Sequence, residues 1–165
     1  MRLDLRRATA DDVEFLVELV NDDDTRRFLG DRVSDTREAA LADLARPDDE
    51  FGWYVIEVDG ERAGCVAYER LSEQHRIAQA GRFVIAPRFR GRGIGDDAAR
   101  SFQRLLLGEL GFHRVELQIY GFNERAIAHA ERAGYVREGV KRRAYRKDGE
   151  WVDAVLFALT QEDLD

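Results

Sequence analysis

Residues 83–95 read FVIAPRFRGRGIG, an apolar run that meets a proline and then a stretch of alternating arginines and glycines. The apolar run is typical of a strand, and a helical pattern of apolar residues begins after Gly95. Glycines leave backbone N–H groups uncovered, a helix N-terminus is positive, and arginines add charge-assisted hydrogen bonds. The stretch therefore predicts a strand, a tight loop and a helix that together bind a pyrophosphate.

Two better-known phosphate-binding loops do not fit the spacing of these glycines. The dinucleotide fingerprint G-x-G-x-x-G would begin at Gly91 and Gly93 but meets Asp96 in place of its third glycine, and no Gly-Lys-Ser/Thr sequence occurs. The spacing does fit R-x-x-G-x-G, at Arg90, Gly93 and Gly95. This pattern resembles the acyl-CoA signature of the GNAT superfamily of N-acetyltransferases.

Length and composition are those of a globular protein. The chain has 165 residues, 44% hydrophobic and 36% charged, which predicts a single domain over residues 1–165. No apolar run approaches membrane-spanning length and the N-terminus lacks a signal-peptide stretch, so we expect a cytoplasmic protein with no membrane partner. A single cysteine, Cys65, and three scattered histidines predict neither a disulfide nor a metal site.

Positive charge is concentrated beside the glycine-rich loop, although the formal net charge of the chain is −7. Between Glu73 and Asp96 there is no acidic residue, but there are five arginines: Arg76, Arg82, Arg88, Arg90 and Arg92. The net charge argues against nucleic acid as a partner. Its distribution favours a compact anion at the loop and a cationic second substrate.

Periodicity and turn signals predict the remaining elements. Thr9 with Asp12 and Asp35 with Glu38 resemble capping boxes that begin two N-terminal helices. Asp59-Gly60 predicts a hairpin. The predicted strands cover residues 3–6, 51–58, 62–71, 77–85, 115–119, 136–145 and 151–159, with one helix after residue 95 and another capped by Asn123.

This order of elements resembles the GNAT fold over nearly the whole chain. Several stretches in the second half are similar to the ribosomal-protein alanine N-acetyltransferases, namely residues 113–117, 123–127, 134–135, 138–139 and 148–149. The resemblance implies an α/β fold with a mostly antiparallel sheet of about seven strands, a parallel pair splayed at a cofactor cleft, and helices on both faces. It also implies a monomer or homodimer.

The resemblance further implies acetyl-CoA as co-substrate and a set of residues that bind it. Backbone groups of the strand before the loop bond the pantetheine arm, the loop wraps the pyrophosphate, and Asn123 contacts the arm or only caps its helix. The implied cofactor-binding residues are Phe83, Val84, Ile85, Arg90, Gly91, Arg92, Gly93, Ile94, Gly95, Asp96 and Asn123.

The implied reaction is direct attack of a primary amine on the acetyl thioester in a ternary complex. The amine belongs to a protein N-terminus, a polyamine or a small molecule. The tyrosine that the family often uses as general acid is replaced by Ala130, and a common glutamate is replaced by Gln118. The candidate catalytic residues are therefore Tyr120, Glu116 and Glu69, each with a structural role as the alternative.

Two other functions stay open at this point. The replaced tyrosine and glutamate motivate a non-catalytic acyl-CoA-binding or sensing module, which would bind the cofactor without transferring its acetyl group. A short basic cluster, Arg142, Arg143, Arg146 and Lys147 with Tyr145, would suit RNA, although the chain as a whole is acidic.

Overall fold

The computed structural model describes residues 1–30 and 33–164, and its strands form one seven-stranded sheet. The strands are β1 (Leu3–Arg7), β2 (Phe51–Val58), β3 (Glu61–Ser72), β4 (Ile77–Ile85), β5 (Arg114–Tyr120), β6 (Val136–Lys147) and β7 (Glu150–Thr160). Their order across the sheet is β1-β2-β3-β4-β5-β7-β6. β4 and β5 pair in parallel, whereas β1–β2, β2–β3, β5–β7 and β6–β7 pair antiparallel. The predicted mixed sheet with one parallel pair is confirmed.

The helices interrupt this sheet at three places along the chain. They are α1 (Val13–Asn21), α2 (Asp23–Arg26), α3 (Arg37–Leu44), α4 (Ile94–Gln103) and α5 (Glu124–Arg132), and α4 continues into a π-helical segment, Arg104–Glu109. In the described part of the chain, none of these helices combines the length and the apolar character needed to cross a membrane. A cytoplasmic location stays a prediction.

The chain divides into two compact units. The first comprises Met1–Arg70 and Ala80–Ser101, and the second comprises Leu71–Gln79 and Phe102–Asp165. The largest fully buried side chains include Trp53, Tyr68, Leu16 and Ile56 in the first unit and Phe157, Leu106 and Val115 in the second. The expectation of a single domain over residues 1–165 stays a prediction.

The hairpin between β2 and β3 forms at the predicted dipeptide. Val58 pairs with Glu61, and Asp59 and Gly60 between them both have positive φ, 51° and 82°. Two successive left-handed residues match the right-handed twist of the strands that they join, which is why Asp-Gly is common at this position.

The first predicted capping box is confirmed, and its acidic member also closes an ion-pair cluster. The carboxylate of Asp12 accepts from the backbone N–H of Thr9 at 2.8 Å and from two nitrogens of Arg6 at 2.8 and 2.9 Å. Nε of Arg62 lies 3.1 Å from the same carboxylate. The hydrogen bonds from Arg6 lower the pKa of Asp12, so this carboxylate stays charged although it is buried.

The second predicted capping box is wrong by one residue. The N-cap of α3 is Thr36, whose hydroxyl oxygen accepts from the backbone N–H of Ala39 at 3.1 Å. The carboxylate of Asp35 instead accepts from Nη1 of Arg26 at 2.8 Å. The Asp35 carboxylate that the sequence pattern assigns to the cap is instead bonded to the Arg26 guanidinium. The neighbouring Thr36 accepts the hydrogen bond from the free N–H group at the start of the helix.

β6 lies at one edge of the sheet and carries the basic cluster. Arg142, Arg143 and Arg146 are exposed, and Lys147 is half-buried. Arg143 has a φ of 50° and its N–H donates to Oδ1 of Asp153 at 2.8 Å, at a register irregularity between β6 and β7. Binding of RNA to this strand stays an open alternative.

Candidate active site

The glycine-rich loop lies between β4 and α4 in the first unit, as the sequence predicts. β4 ends at Ile85, a 3-10 turn covers Pro87–Phe89, and α4 begins at Ile94. Gly91 and Gly93 both have positive φ, 80° and 75°. A Cβ placed on either glycine would have no described atom within 4 Å apart from its chain neighbours. The loop backbone is therefore open to a ligand on that side.

The first turn of α4 adds backbone N–H groups to this loop. The first helical hydrogen bond runs from Asp97 N to Gly93 O at 3.3 Å, so the N–H groups of residues 94–96 precede it. Such a turn is a site where proteins bind phosphate. Asp96 and Asp97 also lie in this turn, and their charge opposes an anion there. The backbone N–H groups of the loop therefore suit a pyrophosphate, whereas the negative charges of Asp96 and Asp97 oppose its binding.

Two arginines of the loop have different surroundings. Nη2 of Arg88 lies 2.7 Å from Glu61 Oε2, in an exposed ion pair. The guanidinium carbon of Arg92 lies 5.4 Å from the ring centre of Phe89. Arg92 is exposed and forms no ion pair with the residues that the structure describes. An anion at the loop can therefore approach Arg92 without displacing a carboxylate.

The third arginine, Arg90, holds the loop to two other elements. Its Nε donates to the carbonyl oxygen of Ile85 at 3.0 Å, and its Nη2 donates to the hydroxyl oxygen of Thr25 at 3.2 Å. Oδ2 of Asp22 lies 4.0 Å from the same Nη2 and accepts from the Thr25 hydroxyl at 3.1 Å. The guanidinium therefore bridges the end of β4 and the junction between α1 and α2.

The predicted pantetheine strand, residues 83–85, is packed closely against β3. A Cβ at Gly64 would lie 2.2 Å from the carbonyl oxygen of Val84. The N–H of Ala86 donates to the carbonyl oxygen of Ala63 at 2.7 Å. The position of β4 at these residues therefore depends on the absence of a side chain at residue 64.

Glu69, the candidate base of the first unit, is held in an ion pair. Its Oε2 lies 2.7 Å from Nη2 of Arg46. The same arginine lies 3.5 Å from Asp43 Oδ1, and its guanidinium carbon is 4.6 Å from the ring centre of Phe51. Protonation of Glu69 would weaken this contact, so a structural role competes with the catalytic one.

Glu116, on β5 in the second unit, also has an arginine partner. Nε of Arg114 donates to Glu116 Oε2 at 2.8 Å. The two Nη groups of Arg114 donate to both carboxylate oxygens of Glu138 on β6, and these bonds lower the pKa of Glu138. Arg114 thus links β5 to β6 across β7, and the role of Glu116 as a base stays a prediction.

Tyr120, at the end of β5, is buried in an aromatic cluster. Its ring stacks on Phe122 at 5.5 Å between centres and meets Tyr145 edge-on at 6.0 Å. Nζ of Lys147 lies 5.5 Å from the centre of the Tyr120 ring. The hydroxyl of Tyr145 donates to Oε1 of Gln118 at 2.6 Å. Sequence reasoning places Tyr145 only in the basic cluster, because its neighbours depend on the register of β6 and β7.

Asn123 is the N-cap of α5, and its Oδ1 accepts from the N–H of Ala126 at 3.2 Å. The capping role is confirmed, and a contact with the cofactor stays a prediction.

Ala130, which replaces the family tyrosine, is buried, and its carbonyl oxygen accepts from the N–H of Tyr135 at 3.1 Å. Burial raises the pKa of Tyr135 to about 12.

The candidate residues fall in both units. The loop, residues 83–85 and Glu69 belong to the first unit, and Glu116, Tyr120 and Asn123 belong to the second. Within residues 1–30 and 33–164, no group of three or more His, Cys, Asp or Glu side chains is arranged to hold a metal ion.

Comparison with protein families matches residues 2–136 to the acetyltransferase (GNAT) domain. The chain belongs to the GNAT family. The spermidine N(1)-acetyltransferase of Escherichia coli K12 is 27% identical over 108 residues, which cover 66% of this chain and 58% of that protein. The putative ribosomal N-acetyltransferase YdaF of Bacillus subtilis 168 is 30% identical over 105 residues, 64% of this chain and 57% of that protein. The family resemblance found in the sequence is confirmed.

A solved GNAT structure has the same fold along almost the whole chain. A chimera of the spermidine N-acetyltransferase SpeG from Vibrio cholerae and hSSAT superposes with a TM-score of 0.87 at 19% identity, over 98% of this chain and 97% of that one. The chain spans 66% and 58% of the length of the first two curated relatives that it matches.

Proposed function

We propose that this GNAT protein transfers an acetyl group from acetyl-CoA to a primary amine by direct attack in a ternary complex. The loop between β4 and α4 carries the proposal. Gly91 and Gly93 hold positive φ angles with open space where a Cβ would point, and the N–H groups of the first turn of α4 follow. A pyrophosphate can therefore approach the backbone closely, which a side chain at either glycine would prevent.

In this proposal each part of the first unit binds one part of acetyl-CoA. The N–H groups of residues 91–96 bind the pyrophosphate, and Arg92 adds a cation that no carboxylate among the described residues neutralises. Backbone groups of residues 83–85 bond the pantetheine arm as a neighbouring strand would, and one N–H polarises the thioester carbonyl. Acetyl-CoA supplies the activated acyl group, and the chain supplies position and polarisation.

Two proton transfers complete the reaction, since the ammonium must lose a proton and the leaving thiolate must gain one. Glu69 and Glu116 are engaged by Arg46 and Arg114, so either would have to leave an ion pair to act as a base. Tyr120 is a phenol, which can donate a proton to the leaving thiolate. We therefore assign the role of general acid to Tyr120. Glu116 or Glu69 is assigned the role of general base, which accepts the ammonium proton directly or through water.

The acceptor is a cationic amine, in keeping with the net charge of −7. Two of the named relatives are a spermidine acetyltransferase and a putative ribosomal N-acetyltransferase, so a polyamine and a protein N-terminus are the first acceptors to test. A small-molecule amine is the third.

The oligomeric state, a monomer or a homodimer, stays a prediction, which light scattering on the purified protein checks.

The test is a thermal-unfolding scan with and without acetyl-CoA, followed by thiol release with spermidine, an N-terminal peptide and a mixture of small amines. At 100 times its dissociation constant the ligand stabilises the protein by about 2.7 kcal/mol, a shift of several degrees. A shift with thiol release supports the transferase. A shift without release on any amine favours the sensing module, and no shift contradicts the placement of the cofactor at the loop.

A further inference from the structure

The guanidinium of Arg90 joins the glycine-rich loop to the α1–α2 junction. We propose that Arg90 is a positioning residue: it holds the loop in its binding conformation through Thr25 and Asp22, and does not itself bind the pyrophosphate. The inference rests on the proposed function, since it concerns the loop that would bind acetyl-CoA.

The three side chains form a directed chain of hydrogen bonds. Arg90 Nη2 donates to the Thr25 hydroxyl, and this hydroxyl donates in turn to Asp22. A hydroxyl that donates to a carboxylate is a better acceptor for a cation, so the two bonds strengthen each other. Thr25 is buried, with 9% of its surface exposed. The arginine is therefore held by a fixed partner and not by a mobile surface group.

Fixing the Arg90 side chain also fixes the backbone that leads into the glycines. Arg90 N donates to the carbonyl oxygen of Pro87 at 3.2 Å, and its side chain returns to the carbonyl oxygen of Ile85. Gly91 and Gly93 follow directly, and glycine loses more conformational freedom on ordering than any other residue. A loop that is ordered before the ligand arrives avoids that loss on binding, which raises affinity.

Arg90 and Arg92 have different roles in this proposal: Arg90 positions the loop, and Arg92 offers its charge to the pyrophosphate. Arg90 uses its guanidinium on groups of its own unit, whereas Arg92 is exposed and forms no ion pair with the described residues. Thr25 has no place in the R-x-x-G-x-G pattern. It nevertheless becomes a determinant of cofactor affinity, because it acts on the loop through Arg90.

A double-mutant cycle tests whether Thr25 affects cofactor binding through Arg90. Acetyl-CoA affinity is measured by calorimetry for the wild type, Thr25→Val, Arg90→Ala and the double variant. The proposal expects Thr25→Val to weaken binding about three- to tenfold, the range of an ordinary intramolecular hydrogen bond. The double variant should bind no more weakly than Arg90→Ala alone. Thr25→Ser keeps the hydroxyl and should restore most of the wild-type affinity.

Two results overturn the inference. One is a Thr25→Val variant with wild-type affinity, and the other is additive losses in the double variant, which indicate that Arg90 contacts the pyrophosphate independently of Thr25. If the wild type itself fails to bind acetyl-CoA, the proposed function is wrong. That failure is distinguishable, because it appears before any substitution is made.

Hydrogen exchange of the ligand-free protein gives a second measure that needs no cofactor. The N–H groups of Phe89 and Asp97 on either side of the glycines donate to the carbonyl oxygens of Ala86 and Gly93, so their exchange reports whether the loop is ordered. The proposal expects both to exchange faster in Thr25→Val and Arg90→Ala than in the wild type and in Arg92→Ala. Unchanged exchange on β2 serves as the control that the first unit is still folded. Loop exchange that Thr25→Val leaves at the wild-type rate contradicts the proposal.

Discussion

Gly64 on β3 lies directly against the backbone of Val84 on β4, so closely that a Cβ on the glycine would be 2.2 Å from the Val84 carbonyl oxygen. Gly64→Ala must therefore displace β4 at the proposed pantetheine strand. We expect a loss of stability of about 1–3 kcal/mol, typical of overpacking, together with weaker acetyl-CoA binding. Thermal unfolding and calorimetry measure the two effects.

Gly139 on β6 provides a matched control for this substitution. It is also a strand glycine, but a Cβ at this position would meet no described atom within 4 Å apart from its chain neighbours. Gly139→Ala should therefore leave both the stability and the affinity within about 0.5 kcal/mol of the wild type. Wild-type stability in Gly64→Ala would mean that β4 can shift at Val84 without strain.

The glycines of the loop give a second prediction, for which the chain again offers a matched control. Gly93 and Gly149 have similar φ angles, 75° and 81°, and a Cβ on either would meet no described atom within 4 Å. Substitution of either by alanine should cost about 1 kcal/mol of stability, because both conformations are left-handed. Only Gly93→Ala should weaken acetyl-CoA binding, by about tenfold or more, since its Cβ would project toward the pyrophosphate. Equal affinities of the two variants, measured by calorimetry, contradict the site.

The assignment of the general acid is tested by removing one hydroxyl at a time. Tyr120→Phe should lower kcat by about 100-fold, the lower end for general acid catalysis, while acetyl-CoA affinity stays unchanged. Tyr145→Phe is the control, because the Tyr145 ring lies in the same aromatic cluster and its hydroxyl bonds to Gln118. Steady-state kinetics with a saturating amine separate the two variants. A Tyr120→Phe enzyme with the kcat of the wild type would remove Tyr120 from the mechanism.

Cys65 gives a prediction that depends on pH. The residue is fully buried, its Sγ donates to the carbonyl oxygen of Arg82 at 3.3 Å, and burial raises its pKa from 9.0 to about 11. Because the pKa is higher in the folded protein, ionisation opposes folding. The stability that depends on this thiol is therefore complete below about pH 9 and falls as the pH rises from there to about 11.

Two measurements check the thiol. An aromatic disulfide reagent at about pH 8 should react with Cys65 only after denaturant unfolds the protein. Cys65→Ala should lose less stability than the wild type over the interval between the two pKa values, measured by chemical denaturation. Rapid reaction of the native thiol would show that the first unit opens locally at β3.

The parts of the fold that the sequence predicts are those with local signals. Asp59-Gly60 determines its hairpin through the φ angles of two residues, and Asn123 caps α5 through a bond to a residue three positions away. The loop at residues 90–95 is likewise contained in one continuous stretch. In each case the residues that form the structure are neighbours in the chain, so a pattern of residue types is enough.

The contacts that sequence reasoning misses join residues that are far apart in the sequence but close in space. Arg90 meets Thr25 across 65 positions, and Tyr145 meets Gln118 across 27. The pattern favours Asp35 as a cap because nothing in the sequence shows that Arg26 reaches it. Such pairs depend on strand register and on how helices pack, which periodicity does not determine.

The ionic surroundings of the catalytic candidates belong to the same class. The pairing of Glu69 with Arg46 and of Glu116 with Arg114 follows from the folded arrangement of side chains, whereas the sequence shows only that polar and apolar residues alternate along β5. The polar face was predictable. The pairing of its carboxylates with particular arginines was not predictable, because every arginine in the chain has several carboxylates within reach before folding.

The exposed guanidinium of Arg92 also bears on the speed of binding. A cation that is not neutralised by a neighbouring carboxylate of the described chain attracts a polyanion over roughly one Debye length, about 10 Å at 0.1 M salt, whereas the acidic remainder of a chain with a net charge of −7 repels it elsewhere on the surface. Encounters that begin near the loop are thus favoured over encounters elsewhere on the surface. An anionic cofactor that first approaches the protein near Arg92 therefore associates faster than one that approaches elsewhere on the surface.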